Sequence, residues 1–255
     1  MSQVPAATRA LAALRFLASA PGPVSAHAIA SELCLPRSTT YHLLTAMAES
    51  GFVTHFPEEQ RWGLGIAAFE VGAAYRRNDP LVAMARPLLT SLVKRFGPRP
   101  LAAQLGTLHG TETLYLLRVD STRRLPVVTE VGVRLPAPLT ASGRAILAAL
   151  PLAQVRADFG AARAYVQRTG RGPSNWADLR ALLEVERDRG YCEEDGFIEE
   201  ELASVAKAVL NQYHYPVAAI SVTMNAADWT PSERRELASA VSECARQLSR
   251  TLGER

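Results

Sequence analysis

Leu11, Leu14 and Leu17 recur at helical spacing and predict an amphipathic first helix from about Thr8 to Ala20, which Pro21-Gly22-Pro23 cannot continue. A second stripe, Ala26, Ile29, Ala30 and Leu33, follows Ser25, a residue suited to capping a helix N-terminus. Cys34-Leu35-Pro36 predicts a tight corner, with Pro36 in the first position of the next helix, where its missing N–H breaks no bond. That helix buries Thr40, Leu43, Leu44 and Met47. Its opposite face gathers Ser38, Tyr41, His42, Thr45 and Glu49, with Arg37 and Thr39 at the margins. Gly51 suits a helix C-terminus, and Phe52–Phe56 and Arg61–Leu64 read as two strands of a hairpin turned at Pro57-Glu58-Glu59-Gln60. Three helices and a hairpin predict a winged helix-turn-helix. Trp62 is expected to pack the wing to the body, and Arg61 beside the turn to reach a phosphate or the minor groove.

Ile66 to Arg77, with its Gly72-Ala73-Ala74 patch, predicts a linker helix ended by Asn78-Asp79-Pro80, and Leu81 to Phe96 predicts another helix closed by Gly97-Pro98. The pattern then changes. Leu101–Gly106, Thr113–Asp120, Val127–Val131 and Val217–Met224 read as strands, as does the segment around Ser204. Helical patterns cover Ala141–Leu150, Leu152–Phe159, Trp176–Arg189 and Pro231–Leu252. The order predicts an α+β domain on an antiparallel sheet. Three parts are therefore expected: residues 1–65, a linker helix over 66–78, and a larger domain over 79–255.

Composition narrows the class. With 48% hydrophobic and 21% charged residues the chain is a packed globular protein, and its net charge of +3 is compatible with nucleic acid without requiring it. Phosphate binding must then come from local placement. A recognition helix needs short donors and acceptors for base edges and phosphates, and the polar face described above supplies them. Cys34, Cys192 and Cys244 show no paired spacing and are expected to be core or inert, in a reducing compartment. The five histidines show no ligand spacing, so neither metal nor cofactor is expected. Arg15 interrupts the N-terminal apolar run, which argues against a signal peptide, and no stretch nears the roughly 20 residues that span a bilayer. A cytoplasmic protein without a membrane partner is expected.

LPRSTTYHLLTAM, ESGFV and WGLG, followed by DPLVAMARPLL, EVGVRLPAPLTASGRAILAAL, RDRGYCEEDGF and PVAAISVT, resemble the IclR family of bacterial transcriptional regulators over nearly the whole chain. The resemblance implies a winged helix joined to a GAF-like effector-binding domain. It also implies a homodimer or dimer of dimers on double-stranded operator DNA. DNA contacts would come from Arg37, Ser38, Thr39, Tyr41, His42, Thr45 and Arg61. By the family's pocket pattern, a small-molecule effector would meet Leu139, Thr140, Ala141 and Ser142, then Glu194, Ser204, Ser221 and Thr223. The chain departs from the family where Ser204 replaces a frequent cysteine, Glu201 a glycine and Ala208 a proline. Independently of the resemblance, Ser221 and Thr223 lie two apart in a strand and so share a face. A helix starting near Ala141 offers N–H groups that favour a carboxylate, so an organic acid is the expected ligand.

Two other classes compete. Ser204-Val205-Ala206-Lys207 and Ser91-Leu92-Val93-Lys94 match SxxK, the signature of a serine enzyme, but Ser204 and Lys207 would point to opposite faces of a strand and no partner motif exists. No catalytic residue is therefore expected. The acidic groups Glu193-Glu194-Asp195 and Glu199-Glu200-Glu201 read as solvated turns. A winged helix can also serve as a protein-docking module, but docking faces favour apolar anchors over the donor-rich surface seen here.

Overall fold

The computed structural model describes residues 4–160 and 165–253, leaving aside the side chains of 75–78. It divides into two compact units between Asp79 and Pro80. The smaller holds α1 (Pro5–Ser19), β1 (Val24–Ser25), α2 (Ala26–Glu32), α3 (Arg37–Glu49), β2 (Val53–Phe56), β3 (Arg61–Leu64) and α4 (Ile66–Asn78). The first helix begins three residues earlier than its apolar stripe suggests, because Pro5 fits the helical start that needs no N–H. Ser25 caps α2 by accepting the N–H of Ala28 at 3.2 Å. Pro36 caps α3 from outside with an extended ψ of 145°, one position earlier than the sequence suggests. Cys34 makes the corner in left-handed geometry with φ of 51°, and Leu35 N–H returns to Ala30 O at 2.9 Å.

Ala13, Leu17, Ile29, Leu44, Met47, Val53 and Trp62 form the core of this unit, so the faces predicted to be buried do meet. β3 lies between β1 and β2. The two-residue β1, too short to leave a periodic signal, pairs Val24 with Trp62 and Ser25 with Arg61. Gly65 is required at the start of α4, since a Cβ there would fall 2.1 Å from the carbonyl oxygen of Gly51.

The larger unit contains α5 (Pro80–Arg95), β4 (Leu101–His109), β5 (Glu112–Asp120), β6 (Arg134–Pro136), α6 (Ala141–Ala149), α7 (Leu152–Phe159), α8 (Trp176–Arg189), β7 (Cys192–Asp195), β8 (Leu202–Leu210), β9 (Pro216–Asn225) and α9 (Pro231–Gly253). Its six strands run antiparallel in the order β6-β5-β4-β9-β8-β7. Three expectations need correction. Val127–Val131 is coil, because its backbone groups bond to side chains of other segments instead of a neighbouring strand. The short β6 takes the edge position beside β5. Glu193-Glu194-Asp195, expected as a solvated turn, is part of β7, and Glu194 is 2% exposed.

Side-chain alternation gives the sheet two unlike faces. Leu101, Ala103, Leu105, Val205, Ile220, Val222 and Met224 pack against α5 and α9, forming the main core. Between these positions the other face carries Gln104, Gly106, Ser204, Ala206, Ala219, Ser221 and Thr223, small or polar residues covered on one side by α6 and α8. Small residues let α6 approach closely. A Cβ on Gly143 would lie 2.4 Å from Ala137 O, and one on Gly106 would lie 2.8 Å from Thr113 Cγ2.

Candidate functional sites

On the smaller unit, Ser38, Tyr41, His42, Thr45 and Arg37 are exposed along one face of α3, while Thr39 is half-buried and Thr40 fully buried. The buried hydroxyl of Thr40 is satisfied within the helix by donating to Pro36 O at 3.1 Å. The Arg37 guanidinium stands 5.8 Å from the Tyr41 ring centroid, within reach of a cation–π contact. Arg61 is exposed near the wing turn, and its Nη1 donates to Pro23 O at 3.0 Å. Part of its hydrogen-bonding capacity thus clips the wing to the segment before α2. Trp62 is buried, with the His55 ring tilted against it at 4.3 Å between centroids. The result is an exposed set of hydroxyls, one imidazole and two guanidiniums carried by α3 and the wing.

In the larger unit, a cavity opens where the polar face of the sheet is left uncovered by the N-terminal end of α6. Seven of the eight positions named for it, Thr140, Ala141, Ser142, Glu194, Ser204, Ser221 and Thr223, line it together. Leu139 does not; it is buried beside the turn that leads into α6. Tyr115 from β5, the coil residues Val127, Val128 and Thr129, and Leu135, Ile198, Glu199 and Leu202 complete the wall. Free space amounts to about 20 Å³, room for about one water molecule.

Its polar groups are joined to one another. Thr140 Oγ1 caps α6 by accepting the N–H of Gly143 at 3.0 Å and lies 3.0 Å from Thr113 Oγ1. Tyr115 Oη lies 3.1 Å from Ser142 Oγ, and burial pushes the phenol up to about 12, so it stays protonated. Ser204 Oγ and Thr223 Oγ1 are 3.0 Å apart across β8 and β9. Burial raises the Glu194 carboxyl above its ordinary value, opposed by the N–H groups of Phe197 and Ile198 at 2.5 and 3.2 Å and by Arg144.

Sequence reasoning overlooked three residues of this region: Gln104, Tyr115 and Arg144. Gln104 donates from Nε2 to Thr129 Oγ1 at 2.6 Å, and Oε1 accepts from Ser221 at 3.2 Å and Thr223 at 3.3 Å. Arg144, inside the TASGRA segment, forks onto Glu186 at 3.0 Å and also reaches Pro138 O and Glu193 O. A glutamine in an apolar strand and an arginine on an apolar helix face are the signals that would have found two of them, since buried polar groups must be partnered.

The two SxxK matches acquire no chemistry. Ser204 faces the cavity while Lys207 Nζ bonds Gly190 O elsewhere, and Ser91 and Lys94 are both exposed on α5. Cys192 and Cys244 are buried, whereas Cys34 is exposed and so not part of the core. Among the described residues no group of His, Cys, Asp and Glu side chains is arranged to hold a metal ion, and no helix is long and apolar enough to cross a membrane.

Comparison with known proteins matches two families, one toward each end of the chain. The family described as the IclR helix-turn-helix domain matches residues 6–56, and that described as bacterial transcriptional regulator IclR C-terminal matches residues 73–250. The chain is 29% identical over 253 residues to the transcriptional repressor IclR of Escherichia coli, covering 98% of this chain and 91% of the relative. The crystal structure of the Thermotoga maritima IclR is similar at a TM-score of 0.73 and 26% identity, covering 98% of this chain and all of that one. An IclR homolog from Microbacterium hydrocarbonoxydans, solved in complex with 4-hydroxybenzoate, shares the fold at a TM-score of 0.78 and 21% identity, with 97% of this chain and 98% of that one covered.

Proposed function

This chain belongs to the IclR family of bacterial transcriptional regulators, which are not enzymes, and from that premise we propose that it binds operator DNA through α3 and the wing under control of a small organic acid. The observation that carries the reading is the pairing of an exposed, donor-rich α3 face with a separate cavity that is polar, buried and without a catalytic set. Arg37, Ser38, Thr39, Tyr41, His42 and Thr45 read the major groove, and Arg61 holds the backbone from the wing. Residues 1–65 form the DNA-binding domain, 66–78 the linker and 79–255 the sensor. The protein acts in the cytoplasm as a repressor, in keeping with its relative's name.

The effector's carboxylate meets the N–H groups of Ala141 and Ser142 at the positive end of α6, while Thr140, Glu194, Ser204, Ser221 and Thr223 surround the remainder. Leu139 supports this end from behind. Because the present free space suits one water, the coil at Val127–Thr129 must yield for a ligand to enter, and that movement supplies the two states a switch needs. A coupling of about 1–3 kcal/mol would change operator affinity roughly 5- to 150-fold. As in other oligomeric DNA readers, at least two copies act together, joined through α1 and α4.

The test has two parts. Sequencing of DNA fragments retained by the purified protein yields the operator, and a thermal-shift screen of aliphatic and aromatic carboxylates, 4-hydroxybenzoate included, yields the ligand. A stabilising acid that is recovered unchanged and alters operator affinity supports the reading, and Ser221→Ala should then weaken the shift. Turnover of the acid, or no enriched DNA motif, counts against it.

A further inference from the structure

Gln104 sits in the middle of β4 within the apolar run LAAQLG, and its side chain is fully buried. Its Oε1 accepts hydrogen bonds from both Ser221 Oγ and Thr223 Oγ1. An amide oxygen offers lone pairs only, and a hydroxyl has a single proton, so both protons are committed to Gln104. The next link follows from the same count. Ser204 Oγ lies 3.0 Å from Thr223 Oγ1 and is also hydrogen-bonded to the Glu194 carboxylate, so its single proton is committed to one or the other. All three hydroxyls that β8 and β9 offer to the cavity are thereby left with lone pairs alone. Beside them stands Glu194, whose Oε1 already takes the N–H groups of Phe197 and Ile198. One side of the cavity is a wall of acceptors.

The opposite end has the reverse polarity. Thr140 takes the N–H of Gly143 on Oγ1 and that of Arg144 on its carbonyl oxygen, so the cap leaves the N–H groups of Ala141 and Ser142 for a ligand. A plain carboxylate fits this end and leaves the acceptor wall unmatched. Leaving buried polar groups unpaired is the usual way a site rejects an analogue that lacks a hydroxyl or amino group.

We propose that Gln104 is a specificity-determining residue, which turns the cavity's hydroxyls into acceptors and so selects carboxylic acids bearing a hydrogen-bond donor away from the carboxylate. The proposal rests on the cavity being the effector site. Gln104 acts through Ser221 and Thr223, and its own contact with the cavity wall is the bond to Thr129.

Calorimetric titration of the full-length protein with matched acids tests it: propionate against lactate, butyrate against 3-hydroxybutyrate, and benzoate against its 3-hydroxy and 3-amino analogues. Within each set that binds, the donor-bearing acid is expected to bind roughly tenfold tighter or more. Gln104→Met, similar in size and lacking the amide, frees the Ser221 and Thr223 protons and should bring that ratio close to one. Gln104→Glu keeps an acceptor at the same place and should keep the preference, provided circular dichroism shows a native melt. Equal affinities within a set in the unaltered protein overturn the assignment without recourse to any variant, as does a preference that survives in Gln104→Met. If none of these acids binds, the organic-acid reading itself fails, an outcome distinct from acids that bind without discrimination.

Discussion

Arg144 and Glu186 meet at 3.0 Å with neither side chain reaching solvent, one from α6 and the other from α8. Burial opposes the charge on Arg144, but Glu186 more than reverses this and holds the guanidinium's pKa above its ordinary value. The remaining donors go to Pro138 O, in the turn before α6, and Glu193 O, beside the cavity carboxylate, so the pair fixes two sides of the site. Removing one partner would leave a buried charge without compensation. Glu186→Ala is expected to lower the stability of the larger unit by about 3–5 kcal/mol, and the double replacement Arg144→Met/Glu186→Leu by much less. Urea denaturation of the two variants beside the unaltered protein checks this; equal losses for the single and the double variant would contradict it.

Acid sensitivity has a specific source at the start of α9. Glu233 accepts the N–H and hydroxyl of Thr230, each at 2.8 Å, and Arg99 at 2.9 Å, which together lower its carboxyl to about 2. In the unfolded chain a glutamate titrates near about 4.3. The folded value lies lower, so the stabilisation is fully present above about 4.3 and is lost as pH falls from there through 2. Glu233→Gln should therefore be less stable than the unaltered protein at pH 6, and the gap in urea midpoint should narrow steadily below pH 4.

On DNA, His42 and Arg61 should behave differently. His42 is exposed at the centre of the α3 face, and His42→Ala is expected to cost about 1–3 kcal/mol on the preferred site and little on random DNA. Arg61→Ala should weaken all sequences alike and lower the salt slope by about one. Fluorescence anisotropy at several salt concentrations separates the two behaviours, and identical profiles for both variants would remove the proposed division of labour.

Leu11, Ile66, Phe69 and Val71 are all more than half exposed on α1 and α4. If these helices join two copies, Phe69→Glu should yield a monomer in light scattering and abolish tight binding to a pseudo-palindromic site, with half-sites about one helical turn or a multiple apart. A native protein that is monomeric on DNA would refute this.

Periodic segments with strong ends were legible from sequence. Leu152–Phe159, Trp176–Arg189 and Arg61–Leu64 emerge at the predicted residues because apolar spacing and flanking Pro, Asn or Gly agree there. Val127–Val131 misled because a β-branched run describes side chains, whereas a strand also needs a free neighbouring edge; Arg118 and Glu199 take the carbonyl of Val127 and the N–H of Val128 instead. Seven of the eight positions drawn from the family pattern line one cavity, and Leu139 is buried and not among its lining residues. Gln104 escaped because spacing reveals which face a residue occupies and says nothing of which proton it holds.

The close seat of α6 determines which parts of the cavity wall can change. With backbone and side-chain atoms at 2.4 and 2.6 Å from where a Gly143 Cβ would stand, and Gly106 similarly crowded, neither helix nor sheet has slack to give. The coil at 125–130 is held differently, by discrete bonds from Arg118 to Leu125 and Val127, from Glu199 to Val128 and from Gln104 to Thr129. Three of these bonds end on loop backbone atoms and can be altered only at Arg118 or Glu199, whereas the fourth can be altered from the loop itself, at Thr129. If the cavity is the effector site proposed above, divergence toward larger or differently shaped effectors is channelled into a few positions that hold one loop, Arg118, Thr129 and Glu199, leaving the fold free to stay as it is.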